Sequence, residues 1–394
     1  MVVYAQPGSR LGASAASMRC AAAGKNPAAG SARQRTVSRS MACLCGGPVL
    51  LLVLAAVSPA AHAATLPRMR VHGNRLYAGS RPWRAWGMNW GVGDHTPVVS
   101  FFDNPTAANF SVLKRELRTA HGMGANSMRV YLQLGQVMAT ATRSRQATLT
   151  ALRDLLTVAQ DDGIYLDITG DLVWQPSRAP TWYERMPWQE RWQVQARFWK
   201  AVAHAASTSP AVLCYELTSE PIVAQMPGYY FGQIGHWWFV QSIATDPTAD
   251  ADALARTWTR LLANAVRSQD DRPVGIGLLP STTGAFAPAN VAGLLDLLIV
   301  HEYPTTGQAP AAVALIRSFA AFHRPVLLGE TFMLSDDATT QAAFLSGAAR
   351  YLTGAFEFFD GRNPVTVQVY SMYDAVYEAG LQQFVAVRHV LLTR

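Results

Sequence analysis

Short apolar runs alternate with longer amphipathic stretches from about residue 84 to the C-terminus. The runs near Arg84–Asn89, Asn126–Leu132, Ile164–Thr169, Val212–Thr218, Val274–Leu279, Leu297–His301, Val326–Gly329 and Ala355–Phe359 read as eight buried strands. Between them, Phe110, Leu113, Leu117 and Ala120 share one helical face, and Trp192, Ala196, Trp199, Ala203 and Ala206 share another. Further helices are expected around 147–161, 250–267, 309–322, 338–351 and 375–391. Eight strands with helices between them predict a (β/α)8 TIM barrel. The alternative, a doubly wound sheet, wants a glycine-rich phosphate turn after its first strand, and GMNWGVGDH holds no such turn. Upstream, RMRVHGNRLYAGSRPW alternates around turns at Gly73-Asn74 and Gly79-Ser80, which predicts a short N-terminal β-hairpin.

The N-terminus has a different character. Arg33, Arg35 and Arg39 precede the apolar run PVLLLVLAAV (Pro48 to Val57), and Ala61-His62-Ala63 follows it. That order is a secretory signal peptide, and the run is too short for a stable membrane span. The expectation is a leader over residues 1–63, starting at Met1 or Met41 and cleaved after Ala63, then one catalytic domain over 64–394, secreted as a monomer. This changes the meaning of the charge. The chain carries a formal +7. Six of its 33 basic residues and none of its 26 acidic ones lie in the leader, leaving 27 against 26. The electrostatic case for a nucleic-acid partner disappears with it. Cys214 is the one cysteine beyond residue 63, so the predicted domain has no internal disulfide.

The candidate chemistry lies at strand ends. In CYELTSEP, alternation puts Glu216, Thr218 and Glu220 on one face, with Glu220 last before Pro221. A buried carboxylate without a partner is costly, so its presence in an apolar strand calls for partners or a task. PVLLGETF presents Glu330 at the end of the seventh strand. Two glutamates at the ends of two barrel strands form a pair across the mouth, the arrangement by which glycosidases work. IVHEYP adds His301 and Tyr303 at the sixth strand end, and NSMRVYL places Arg129 in the second strand, where a buried guanidinium needs an anion. Asn89 and Trp90 close the first strand, and Asp171 and Trp174 follow the third in LDITGDLVW. The longest insertion, 222–248, carries Tyr229, Tyr230, Phe231, Trp237, Trp238 and Phe239, aromatics of the kind that stack on sugar rings. No HExxH, cysteine cluster, EF-hand loop or phosphate loop is present, so neither metal nor cofactor is expected.

These motifs together resemble the retaining (β/α)8 glycoside hydrolases, and most closely the cellulase-like family 5. The carriers are VHGNRLYAGSRPWRAWGMNW, GANSMRV, YELTSEP, HEYP and PVLLGET, in that order over about residues 69–360. The resemblance implies Glu220 as acid/base and Glu330 as nucleophile. Arg129 and Tyr303 would support Glu330, and His301 would contact substrate. Glu216 would belong to a structural network. Asn89, Trp90, Asp171, Trp174 and Trp238 would line or support the sugar site. It implies a β-linked glycan substrate of the glucan or mannan kind. Three features depart from the family: Ser219 stands in place of the usual asparagine, the third strand ends without its histidine, and Phe358 and Phe359 stand where a tryptophan is usual. Ser219 motivates the alternative of a catalytically impaired glycan-binding protein, and the aromatic insertion that of a transglycosylase.

Overall fold

Eight strands close into a parallel barrel because each is buried on both faces, against a layer of helices outside and packed side chains inside. The structure, a computed structural model, describes residues 66–90, 97–171, 178–224, 241–246, 248–333, 336–363 and 372–393, all within one unit running from Ala60 to Arg394. Three short strands come first: β1 (Met69–His72), β2 (Arg75–Ala78) and β3 (Arg81–Trp83). The barrel strands are β4 (Ala85–Trp90), β5 (Ser127–Gln133), β6 (Tyr165–Asp171), β7 (Val212–Ser219), β10 (Val274–Leu278), β11 (Leu298–His301), β12 (Val326–Thr331) and β13 (Gly354–Phe359), with β13 pairing β4 to close the ring. Between β7 and β10 lie β8 (Pro221–Ala224) and β9 (Gln241–Thr245).

The helices are α1 (Pro97–Asp103), α2 (Ala107–Gly122), α3 (Leu134–Val137), α4 (Gln146–Asp161), α5 (Thr181–Glu184), α6 (Trp188–Ala206), α7 (Ala251–Arg267), α8 (Pro288–Val291), α9 (Ala309–Ala320), α10 (Ala338–Ala348), α11 (Met372–Ala386) and α12 (Arg388–Thr393). Side-chain caps set three of the longer starts. Thr106 accepts from the Asn109 amide, Asp250 from Asp252 and Ala253, and Asp337 from Thr340. None of the helices among the described residues is long and apolar enough to cross a membrane.

Two cores result. The larger lies between barrel and helices and takes Trp86, Met88 and Trp90 from β4 with Trp199 from α6 and Phe384 from α11. The smaller fills the lower barrel with Cys214, Ile299, Leu327 and Phe356, and Met69, Leu76 and Ala78 of the N-terminal sheet pack into it. That sheet therefore closes the end of the barrel opposite the strand C-termini. Polar interior residues are left for the upper end.

Three local expectations change. The predicted hairpin gains a third antiparallel strand, β3, and becomes a three-stranded sheet. The insertion at 222–248 carries strand near both of its ends, since β8 and β9 pair in parallel. Its aromatic stretch, including Trp238, lies outside the described residues, as do Trp174 and the leader. The single helix expected over 375–391 is two, α11 and α12.

Candidate active site

Period-two alternation carries the polar residues to the barrel interior. On β5 it sends Arg129 and Tyr131 inward, on β6 Asp167, Thr169 and Asp171, on β7 Glu216, and on β4 Asn89. Arg129 is the hub and is fully buried. Its Nε and Nη2 donate to the two oxygens of Glu216 at 2.7 and 2.5 Å, a bidentate clamp. Nη1 donates to Glu330 Oε1, to Tyr131 Oη at 2.6 Å and to Asn89 Oδ1 at 3.2 Å. Thr169 Oγ1 receives Nε at 3.0 Å, and Ser219 Oγ sits 3.5 Å from Nη2. A buried cation of this kind persists only because every donor is used and two carboxylates share its charge.

Glu330 is held from both sides. Besides Arg129, the Tyr303 hydroxyl donates to its Oε2 at 2.5 Å, and Tyr303 is itself stacked on Phe358 with centroids 6.4 Å apart. Its place beside His301 comes from an irregular register. Leu328 pairs with Val300, but Glu330 rather than Gly329 pairs with His301. The extra residue has to be glycine, because a Cβ on Gly329 would run into the Ile299 side chain.

Glu220 closes β7 in an unusual backbone state, with φ of 47° immediately before Pro221. A non-glycine residue there costs on the order of 1–3 kcal/mol. Two hydrogen bonds hold it: the Glu220 amide donates to Gly277 O at 2.7 Å, and the Gln241 amide of β9 donates to Glu220 O at 3.0 Å. The little parallel pair β8–β9 thus clamps the turn that aims the carboxylate.

His301 is fully buried between the two glutamates. Its Nδ1 lies 3.0 Å from Glu220 Oε1 and 3.5 Å from Glu330 Oε2, and its Nε2 is 3.8 Å from Glu216 Oε1. One oxygen of each glutamate and one imidazole nitrogen fall within 4.8 Å of one another. These three are also the sort of donor set that holds a metal ion; Arg129, bonded to Glu330, opposes a cation there by charge.

The electrostatics separate the pair. Burial pushes the Glu220 carboxyl up, and the Glu330 charge adds to this against the His301 hydrogen bond. Burial also pushes Glu330 up, but His301, Arg129 and the Tyr303 hydrogen bond together outweigh it and hold its carboxyl below the usual range. Burial lowers His301, while the two glutamates raise it further than burial lowers it. Beneath them, burial and the Glu216 charge push Asp167 up to about 8, so at neutral pH it adds no charge to the crowded interior. Burial likewise pushes Asp171 up to about 7; its Oδ1 is buried without a hydrogen-bond partner at the end of β6.

Of the residues singled out by sequence, Asn89, Arg129, Asp171, Ser219, Glu220, His301, Tyr303 and Glu330 converge at the C-terminal end of the barrel. Trp90 does not join them. Its strand neighbour Asn89 points inward, so Trp90 points outward; it is 1% exposed and its indole N–H donates to Glu116 Oε2 of α2 at 2.7 Å. It is a core residue rather than a sugar platform. His301, expected against substrate, instead bridges the glutamates. Tyr131 joins the site without being among the residues that the sequence motifs single out, although it lies two residues beyond Arg129 and so on the same face.

No protein-family model matches the chain, and no curated protein sequence matches it. Solved structures do. An exo-β-1,4-mannosidase from Opitutaceae bacterium strain TAV5 aligns with TM-score 0.59 at 14% identity, over 82% of this chain and 63% of that one, so this chain spans under two thirds of that enzyme. A β-1,4-mannanase from the sea hare Aplysia kurodai aligns at 0.58 and 13% identity, over 82% of this chain and 97% of that one. A β-glucanase from Saccharophagus degradans, solved with cellotetraose, aligns at 0.53 and 14% identity, over 82% and 93%. At such identities the likeness establishes a shared fold, the (β/α)8 barrel.

Proposed function

We propose that this chain is a retaining β-glycosidase in which Glu330 is the nucleophile and Glu220 the acid/base. The observation that carries the reading is the glutamate pair, with oxygens within 4.8 Å and pKa values displaced in opposite directions. Retaining enzymes hold their carboxyl groups about 5–5.5 Å apart, inverting ones about 6.5–9.5 Å, to admit a water between. Glu330, kept ionised by Arg129 and Tyr303, attacks the anomeric carbon. Glu220, whose carboxyl burial pushes up, gives its proton to the departing glycosidic oxygen. A covalent glycosyl–Glu330 ester forms, and Glu220 then removes a proton from the water that hydrolyses it. His301 lies within reach of both carboxylates and tunes where the shared proton rests. The mannan- and glucan-directed names of the fold neighbours support a β-1,4-linked mannosyl or glucosyl substrate. The apolar run and A-x-A site of the N-terminus support secretion.

A panel of 4-nitrophenyl β-glycosides with β-mannan and β-glucan oligosaccharides tests the reading. Turnover of a β-mannoside or β-glucoside is expected, with none of the α-anomers. Binding of oligosaccharide without cleavage of any panel member would turn the reading into the glycan-binding alternative that Ser219 suggests.

A further inference from the structure

A second polar cluster lies behind the barrel, on the outer face of β12 and β13, and the glycosidase reading makes no use of it. Thr331 and Glu357 are register partners on these strands, so their side chains stand next to each other, facing the helix layer. Gln341 of α10 donates from Nε2 to Thr331 Oγ1 at 2.9 Å, which brings its amide oxygen to the same spot. Gln341 and Glu357 are both fully buried. Asp336 precedes Asp337, the N-cap of α10, and Gln341 is the fourth residue of that helix, positions whose side chains commonly lie against each other; the Asp336 charge also acts on Glu357. Four oxygens in this cluster are buried without a hydrogen-bond partner: Gln341 Oε1, Glu357 Oε2 and both carboxylate oxygens of Asp336.

Four bare acceptors face at most one donor of the cluster, the Thr331 hydroxyl hydrogen, so protein groups alone leave at least three of them unsatisfied, at a cost of about 1–3 kcal/mol for each group. A positive ion seated among them would supply the partner they lack. We propose that Asp336, Gln341 and Glu357 form a binding site for a hard divalent cation of the calcium type. The donors are all oxygen, two carboxylates and an amide carbonyl, with no imidazole or thiolate to favour zinc or copper. Water would complete the shell of six to eight oxygens that calcium takes. The ion ties the segment after Glu330 to the outer wall of the barrel. It is therefore a structural element supporting the strand that carries the nucleophile, and its existence does not depend on the reaction assigned above.

Thermal unfolding of the full-length protein after EDTA treatment, with and without about 1 mM CaCl2 at pH 7, tests this directly. Calcium is expected to raise the melting temperature by at least about 3 °C, since a ligand bound only by the folded state stabilises it by mass action. Asp336→Asn and Glu357→Gln are each expected to abolish the shift; the first keeps the test open if the second fails to fold. Equal concentrations of KCl should give no comparable rise. The proposal is overturned if calcium leaves the wild-type melting temperature unchanged, or if potassium matches its effect. It is overturned equally if both variants keep the calcium response. A calcium-insensitive protein that gains stability on acidification would mean that protons, shared among these oxygens, do the work of the cation.

Discussion

Glu330→Ala is expected to lower kcat on an aryl β-glycoside by about 10⁴-fold or more, because it removes the atom that forms the covalent bond. The loss alone would not separate chemistry from structure, since Arg129 and Tyr303 both lose a buried partner. Breaking a buried ion pair by removing one partner costs about 3–5 kcal/mol. Anion rescue makes the distinction. Azide enters the space left by the carboxylate and attacks the anomeric carbon from that side while the aryl oxide departs. The product is the glycosyl azide of inverted, α, configuration. Restored turnover that yields this product marks Glu330 as nucleophile. Full folding without rescue, or activity within tenfold of wild type, contradicts the assignment.

Glu220→Gln is expected to divide substrates by leaving group. Oligosaccharides need a proton on the departing oxygen, and their kcat/KM should fall about 10²–10⁴-fold. A 2,4-dinitrophenyl glycoside needs none, so its glycosylation step should stay near the wild-type rate. Hydrolysis of the glycosyl–enzyme then becomes slow for want of a base, giving a burst, a low kcat and a low KM. The pH profile supplies a second readout. Glu330 must be ionised, and its carboxyl is held below the usual glutamate range, so the acid limb lies below that range. Glu220 must be protonated, and its carboxyl is raised, so the alkaline limb lies above it. With His301 between them the three groups titrate as a unit, and the two limbs report the cluster. Glu220→Gln should erase the alkaline limb and leave the acid limb. An equal loss on both substrates with both limbs intact would remove Glu220 from the acid/base role.

Strand alternation explains why so much of the site was legible in advance. Once CYELTSEP is a strand end, alternation sends Glu216 inward, and the same rule places Arg129 in the interior; Glu220 reaches the site through the irregular pairing of β7 with β10 and its own φ of 47°. Alternation also explains the errors. Applied strictly to AWGMNW, the rule separates Trp90 from Asn89, and applied to SMRVYLQ it sets Tyr131 beside Arg129. Other features leave no local trace. The slip that sets Glu330 beside His301 depends on how two strands pair across the bulge at Gly329. The clamp on Glu220 comes from Gln241, twenty-one positions along the chain, in a stretch whose pairing the aromatic composition hid. The cluster of Asp336, Gln341 and Glu357 likewise exists only once α10 packs on the barrel.

The stereochemistry of hydrolysis tests the central claim most directly. ¹H NMR of the anomeric protons in the first minutes of cleavage, before mutarotation, reads the configuration of the first-formed sugar. Two displacements, at Glu330 and then by water, predict the β-anomer. First appearance of the α-anomer would mean a single displacement, and would contradict a covalent bond to Glu330.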